Sequence, residues 1–425
     1  MSMDAAQLHD EMTRTPTLPT PVVVKTAPTV GIAMIARNGA EIMPRALEPF
    51  LLRVDDISIV LGGYSDDDTE AVANRLARTL SGNVTRYIGE LDEAGQILDF
   101  SAARNQAIRH LETDWIIVID CDDVWQGAEN IGQVIAEAEG AEASQVMCAY
   151  GLPNSEMWQG RIFRRTSGQY VGPVHELWRF NEDEGHKLTK TDRMRLTQER
   201  PEGVKEGRLK QNIAISLAYL KDHPTDERAL LHLVQDYGET GDFQTSIDYG
   251  RVFLNAYPAK DKEANYYRFR VLFLVAMAQL QLSQFEGAMT SGIGALNSWS
   301  GGQGQAWAIV AEAAGQLAIK AGDPEGPLHR FAIMAADEAL RFGIQPAPFP
   351  AAAMHVQSAP YHIKARAFFF SGFIQQAKAA AEIGLELNPA NDALRKFYGD
   401  DIMRVYHGHL AQRAGETKAA DNGKR

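Results

Sequence analysis

Trp115-Ile116-Ile117-Val118-Ile119-Asp120-Cys121-Asp122-Asp123 decides the reading of this chain. Five apolar residues in succession, rich in β-branched side chains, are expected of a central parallel strand covered on both faces. The run ends abruptly in polar positions. Ligands of open α/β sheets bind beyond the carboxyl ends of the strands, so Asp120 to Asp123 stands where chemistry is expected. Three acids among four residues repel one another unless they are solvated, separated or neutralised by a cation. In extended backbone Asp120 and Asp122 fall on one side, about 7 Å apart, a spacing that suits one divalent ion or one ion plus a sugar hydroxyl. Taken alone, the same run also reads as a solvated loop.

Outward from this strand, short β-rich runs alternate with amphipathic helical stretches between Thr29 and about Arg200. Val30 to Ile35, Ile57 to Leu61 and Val84 to Ile88 read as strands, and helices are expected near Ile42 to Leu52, Thr69 to Leu80 and Ser101 to Leu111. This alternation predicts an α/β domain with a mostly parallel central sheet. Residues 1 to 28, with Pro16, Pro19, Pro21 and Pro28, read as a mobile leader, and residues 415 to 425 as a flexible tail.

From residue 201 to 414 the pattern is helical only. Gly241-Asp242-Phe243-Gln244-Thr245-Ser246-Ile247-Asp248-Tyr249 with closing Pro258, Ser283 to Met289 with Ala295-Leu296, and Gly372 through Ala377 to Leu385 and Pro389 recur as similar segments. They resemble the tetratricopeptide repeat, with Ser246 as a small packing residue. Gln305 to Leu340 reads as another helix pair with a turn lengthened at Pro324, Gly326 and Pro327. Stacked units of this kind share a continuous core and leave a concave face for a partner. An irregular helical bundle is the alternative.

The bulk properties narrow the partners. The 425 residues are 45% hydrophobic and 23% charged, ordinary for globular material, with a formal net charge of −13. That charge disfavours bulk nucleic-acid binding, which needs a basic surface that displaces counterions. Local basic clusters at Arg161 to Arg165 and around Arg193 to Arg208 remain suited to a small phosphorylated ligand. Cys121 and Cys148 lack a CxxC partner, which argues against a disulfide framework or a zinc site. No apolar run approaches the roughly 18 residues of a membrane span, and no secretory signal is readable, so a cytoplasmic protein is expected.

Four motifs in order make a resemblance recognisable: Ala36-Arg37-Asn38 after the first strand, Ser65-Asp66-Asp67-Asp68-Thr69 after the second, Asp99-Phe100-Ser101-Ala102-Ala103-Arg104-Asn105, and the Asp120 run. Together they resemble the family 2 glycosyltransferases, whose domain has the GT-A fold. Gly172-Pro173-Val174-His175-Glu176 resembles the G-x-V-H-E signature of members carrying C-terminal tetratricopeptide repeats.

The resemblance implies a metal-dependent, inverting transfer of a hexose from a nucleotide-sugar donor. It makes Asp120 and Asp122 the DxD pair that holds Mn²⁺ or Mg²⁺ on the diphosphate, and His175 a further metal or diphosphate contact. Ala36, Arg37, Asn38, Tyr64, Asp67, Arg104, Asn105, Asp120 and Arg164 are expected at the nucleotide sugar. An inverting displacement needs a base on the acceptor hydroxyl or thiol, for which Glu176 and Asp123 compete. Aromatics and arginines within Trp158 to Arg165 and Tyr170 to Trp178 suit a sugar-binding wall.

One position departs from the family pattern. Gly62 stands where an acid commonly reads the uracil ring, leaving Tyr64 to stack on a base, so UDP is favoured only weakly over GDP or another carrier. The repeats suggest a protein or peptide acceptor, or a homodimer interface. A modified nucleobase, lipid or small-metabolite acceptor, or an inactive binding scaffold, are the alternatives.

Overall fold

The computed structural model describes residues 27–80, 82–152, 155–181, 185–199, 204–258, 265–322, 326–343 and 358–422. The leader expected over residues 1 to 28 lies almost wholly outside them. The parallel half of the sheet contains β3 (Asn83–Arg86), β2 (Asp56–Leu61), β1 (Val30–Ala36) and β4 (Trp115–Asp120), in that spatial order. Ile32 of β1 pairs with Ile57 on one side and Ile117 on the other.

Both faces of β1, β2 and β4 are buried, which is why these three strands are almost continuously apolar. Ile32, Met34, Ile57, Ile59, Ile117 and Ile119 pack on one face with Met43, Leu47 and Phe50. Ala33, Val60, Ile116 and Val118 occupy the other with Ala107 and Leu111. The two sets alternate along the strands, as the period of two requires. The crossover helices are Met43–Leu47, Thr69–Ala77 and Phe100–Arg109.

Beyond β4 the sheet becomes mixed. β7 (Ser155–Arg164) runs antiparallel to β4 and to β6 (Gln145–Leu152), β10 (Leu188–Gln198) runs parallel to β6, and β5 (Asp123–Gln126) runs antiparallel to β10. A separate hairpin joins β8 (Gly168–Val171) to β9 (Leu177–Phe180). The resulting domain is the expected GT-A-like sheet.

The helical region follows from Val204 as successive helices. Glu227–Thr240 and Phe243–Ala256 form the pair expected around Gly241, and Asp226 and Asp242 cap their N-termini by accepting from Ala229 N and Thr245 N. Such caps satisfy amide donors that the helix leaves orphaned. Ser246 is the small residue at the crossing, and its hydroxyl donates to Val234 O at 2.6 Å. Gly250 allows the next helix to approach, since a Cβ there would lie 2.3 Å from Val275 Cγ2. Separate buried clusters centred on Leu230, Phe269, Val310 and Ala381 succeed one another along the array. Gln303–Ala321 and Pro327–Phe342 form the other expected pair. The tail expected from Gly415 is instead helical to Asn422, within Met403–Asn422. Its Ala, Glu, Gln and Lys content favours helix.

Among the described residues, no helix is long and apolar enough to cross a membrane.

Candidate active site

The acidic run does not continue as extended chain past Asp120. Cys121 and Asp122 make a turn, and β5 begins at Asp123. This reversal carries the Asp123 carboxylate back to the end of β4, where it accepts from Asp120 N at 2.8 Å. The alternation expected for Asp120 and Asp122 is therefore replaced by a compact cluster. One ligand oxygen from each of Asp120, Asp122 and Asp123 lies within 4.8 Å of the others.

Two arginines hold this cluster together. Arg104 Nη2 is 2.8 Å from Asp120 Oδ1, Arg161 Nη1 is 3.1 Å from Asp120 Oδ2, and Arg161 Nη2 is 3.4 Å from Asp123 Oδ1. Burial alone would raise the titration point of the Asp120 carboxyl, but the two guanidiniums outweigh it and hold the group far below the usual carboxylate range. Asp123 is fully buried. Burial raises its carboxyl to about 6 despite Arg161, with Asp120 adding to the rise. Gln198 Nε2 also donates to it at 3.0 Å.

Arg104 reaches Glu176 through Nε, so the helix Phe100–Arg109 joins β4 to the Gly172–Glu176 loop. Asp99 caps that helix by accepting from Ala102 N, and Phe100 N donates to Pro173 O at 2.7 Å. Four carboxylates, from Asp120, Asp122, Asp123 and Glu176, thus gather at this strand end and outnumber by two the guanidiniums of Arg104 and Arg161 in contact with them. One divalent cation neutralises that excess. The all-oxygen donor set has the hard character such ions require, so the residues fit the group that the family implies.

Several expected contacts are used otherwise. Asn105 spends both ends of its amide on Tyr170, donating to its carbonyl at 2.8 Å and accepting from its N–H at 2.9 Å. Arg164 is a correction: it pairs in register with Trp115 at the start of β4, roughly 16 Å of strand from Asp120. There it lies over the Trp115 ring and binds Glu139 at 2.8 Å. Arg161, three residues earlier, faces the acids instead. Tyr170 and Trp178 pack with Phe163 in the core rather than forming a sugar wall.

His175 is also drawn away. Its Nε2 lies 3.0 Å from Asp236 Oδ2, and its ring stacks on His232 with centroids 3.9 Å apart and planes 9° from parallel. Arg228 donates to its carbonyl. The described metal-competent cluster consists of Asp120, Asp122 and Asp123, without His175. The residue binds the repeat region to the loop that carries Glu176.

The residues expected on the nucleotide side stand at the first two strand ends. Ala36 is buried and its carbonyl accepts from Gly62 N at 2.9 Å. Asn38 exchanges hydrogen bonds with Asp66, and Asp67 accepts from Ala40 N at 2.9 Å and from the Thr69 N–H at 3.0 Å. Burial works against the Asp67 charge, but these bonds, led by that from the Thr69 hydroxyl, lower its titration point. Asp67 therefore shapes the loop.

Arg37 Nε donates to Tyr64 O at 3.0 Å, and the Tyr64 side chain is 74% exposed with the Arg86 guanidinium 5.9 Å from its ring centroid. Ile97 fills the space at Gly62, where a Cβ would meet Ile97 Cδ1 at 2.7 Å. Gly63 has φ +96°, and its Cβ would strike Gly95 O at 1.9 Å. A loop thus folds over the place where a uracil-reading acid would stand.

Sequence reasoning placed Arg161 and Arg208 only in local basic clusters and did not link either to the acids. Arg208 is exposed on Val204–Asp222, and its charge acts on Asp120. The first helix of the repeat region also sends Gln211 to Ile97 O at 3.3 Å.

Residues 32–198 match the sequence model of glycosyl transferase family 2, and the chain carries a domain of that family followed by a tetratricopeptide-like helical region. Over 161 residues the chain is 40% identical to a TPR repeat-containing protein of Synechococcus elongatus, an overlap covering 35% of each. The chain therefore spans about a third of the length of that curated relative. Among solved structures it is similar to the thermophilic TPR protein TTC0263 of Thermus thermophilus, at 16% identity and TM-score 0.32 over 47% of this chain and 93% of that one. It is also similar to glucosyl-3-phosphoglycerate synthase from Mycobacterium tuberculosis, solved with Mn²⁺, uridine diphosphate and phosphoglyceric acid. That likeness has 11% identity and TM-score 0.30, over 46% and 78% of the two chains.

Proposed function

We propose that the chain is a metal-dependent, inverting glycosyltransferase that moves a hexose from a nucleotide sugar to a protein side chain. The observation that carries this reading is the joining of Asp120 and Glu176 through Arg104 at the carboxyl end of β4, within a family 2 domain. Asp122, with Asp120 beside it, would hold Mn²⁺ or Mg²⁺. When bound, the cation neutralises charge building on the departing diphosphate.

The chain's own residues divide the remaining work. Arg104 and Arg161 keep Asp120 ionised and fixed. Glu176 is favoured over Asp123 as the base on the acceptor, because Asp123 is fully buried and already accepts from Asp120 N, Arg161 and Gln198. Arg37 positions exposed Tyr64, which supports stacking on the base of the donor. The helical array supports a polypeptide acceptor, since such arrays present concave faces to extended chains. The displacement of the uracil-reading position by Ile97 supports the second reading, an inactive scaffold.

Incubation with Mn²⁺ and a panel of UDP- and GDP-sugars, followed by donor hydrolysis, separates these readings. Hydrolysis by the wild type and its loss in Asp122→Ala are expected. Intact mass spectrometry of proteins co-produced with either form would then show a hexose increment only with the wild type. Silence toward every donor would favour the scaffold, and full transfer by Asp122→Ala would refute the metal assignment.

A further inference from the structure

The loop that carries Glu176 to Arg104 also walls a cavity of about 140 Å³ between the sheet domain and the helical region. Its polar lining comes from Arg179 on β9, from Ser216 and Tyr219 on Val204–Asp222, and from Asp226, Arg228 and His232 at the start of Glu227–Thr240. Val171, Pro173, Val174 and Ala229 supply apolar wall.

Two features distinguish this cavity from a packing defect. Ser216 is 1% exposed and His232 7%, yet among the described residues neither Ser216 Oγ nor either ring nitrogen of His232 has a hydrogen-bond partner. Buried polar groups in folded proteins are almost always satisfied, so these atoms call for a ligand that supplies partners. The lining is also rich in donors. It contains two guanidiniums, a hydroxyl from Ser216 and one N–H of the His232 imidazole. Its one carboxylate, Asp226, is already engaged within the wall, accepting from Ala229 N at 2.8 Å and pairing with the Tyr219 hydroxyl. The N-terminus of that 14-residue helix adds positive potential.

We propose that this cavity binds a small oxyanion, a carboxylate or a phosphate, held by Arg179, Arg228, Ser216 and His232. A cavity of about 140 Å³ has room for a small oxyanion. Arg228 also donates to the carbonyl of His175, the residue before Glu176, so the ligand would share a cation with the loop beside the acids. The binding does not rest on the glycosyl-transfer reading. An inactive protein with the same fold would show it.

The test is a titration of the full chain, histidine-labelled with ¹³C, with inorganic phosphate and separately with acetate at constant ionic strength. A saturable shift of the His232 Cε1–H signal is expected, the signal being assigned by its loss in His232→Gln. Arg179→Gln, at an exposed position, should weaken that binding about tenfold or more, as loss of a charge-assisted contact does, and Ser216→Ala should weaken it further. Asp122→Ala should leave it unchanged, which separates it from diphosphate binding at the acidic cluster. Saturation by phosphate alone would assign a phosphate ligand, and saturation by acetate a carboxylate. The proposal is overturned if neither probe shifts His232 saturably, if Arg179→Gln with Ser216→Ala binds like the wild type, or if Asp122→Ala abolishes the shift.

Discussion

Arg104 Nη2 lies 2.8 Å from Asp120 Oδ1, and the same guanidinium gives its Nε to Glu176. One side chain therefore spans the strand end and the loop. Burial opposes the Arg104 charge, but Asp120 and Glu176 keep the guanidinium protonated to well above its ordinary range. Arg104→Ala should lower stability by about 3 kcal/mol or more, because it leaves Asp120 and Glu176 without their shared counter-charge in a poorly solvated site. Arg104→Lys retains charge but not the fork. It should recover part of the stability in urea denaturation while donor turnover stays at least about tenfold down. Wild-type turnover by Arg104→Lys would show that charge alone suffices.

Gly62 and Ile97 form a second coupled pair. Gly62→Asp places a Cβ 2.7 Å from Ile97 Cδ1. Overpacking of this order costs about 1–3 kcal/mol, and it should be relieved when Ile97→Ala is added. The double variant puts a carboxylate where family members commonly read uracil. Calorimetry with UDP and GDP should therefore show the UDP affinity rising relative to GDP in the double variant, by several-fold or more. Unchanged relative affinity would place the base elsewhere.

The fold was legible because its determinants are local. Continuous apolar runs marked β1, β2 and β4, and the Gly241 to Tyr249 segment with its small Ser246 and closing Pro258 marked the first repeat. What escaped depended on long-range register. Asp120 and Asp122 read as alternating extended residues because nothing in the run announces that Asp123 will fold back onto Asp120 N. Arg161 and Arg164 are equivalent as a basic cluster, and only the pairing of Trp115 with Arg164 decides which of them reaches the acids. His175 sits in a recognisable motif, but its partners Asp236 and His232 lie far along the chain on a helix whose docking the motif does not encode.

The His175–His232 stack predicts a pH dependence. Burial lowers the titration point of His232 well below its ordinary 6.5, with His175, Arg228 and Arg270 adding repulsion to the charged form. Its folded pKa is thus below its unfolded one, so on acidification the unfolded chain takes the proton first. The stability associated with neutral His232 is fully present above about pH 6.5 and is lost as pH falls below it. Denaturation curves at pH 7.5 and pH 5.5 should show a smaller difference for His232→Leu than for the wild type. Equal differences would mean that His232 titrates alike in both states.

Arg208 makes the last prediction, and it concerns the contribution of the helical region to the donor site. The side chain is exposed and projects from Val204–Asp222, yet its charge lowers the titration point of Asp120. Removing an exposed charge changes stability by no more than about 0.5 kcal/mol. Arg208→Gln should therefore unfold like the wild type while its KM for the nucleotide sugar rises several-fold at low ionic strength. Because the group is solvated, that difference should shrink as salt approaches about 0.5 M, where the screening length falls well below 10 Å. A salt-independent loss would point to a direct hydrogen bond from the guanidinium to the donor rather than to its field, and no loss at any salt would remove the first repeat helix from donor binding.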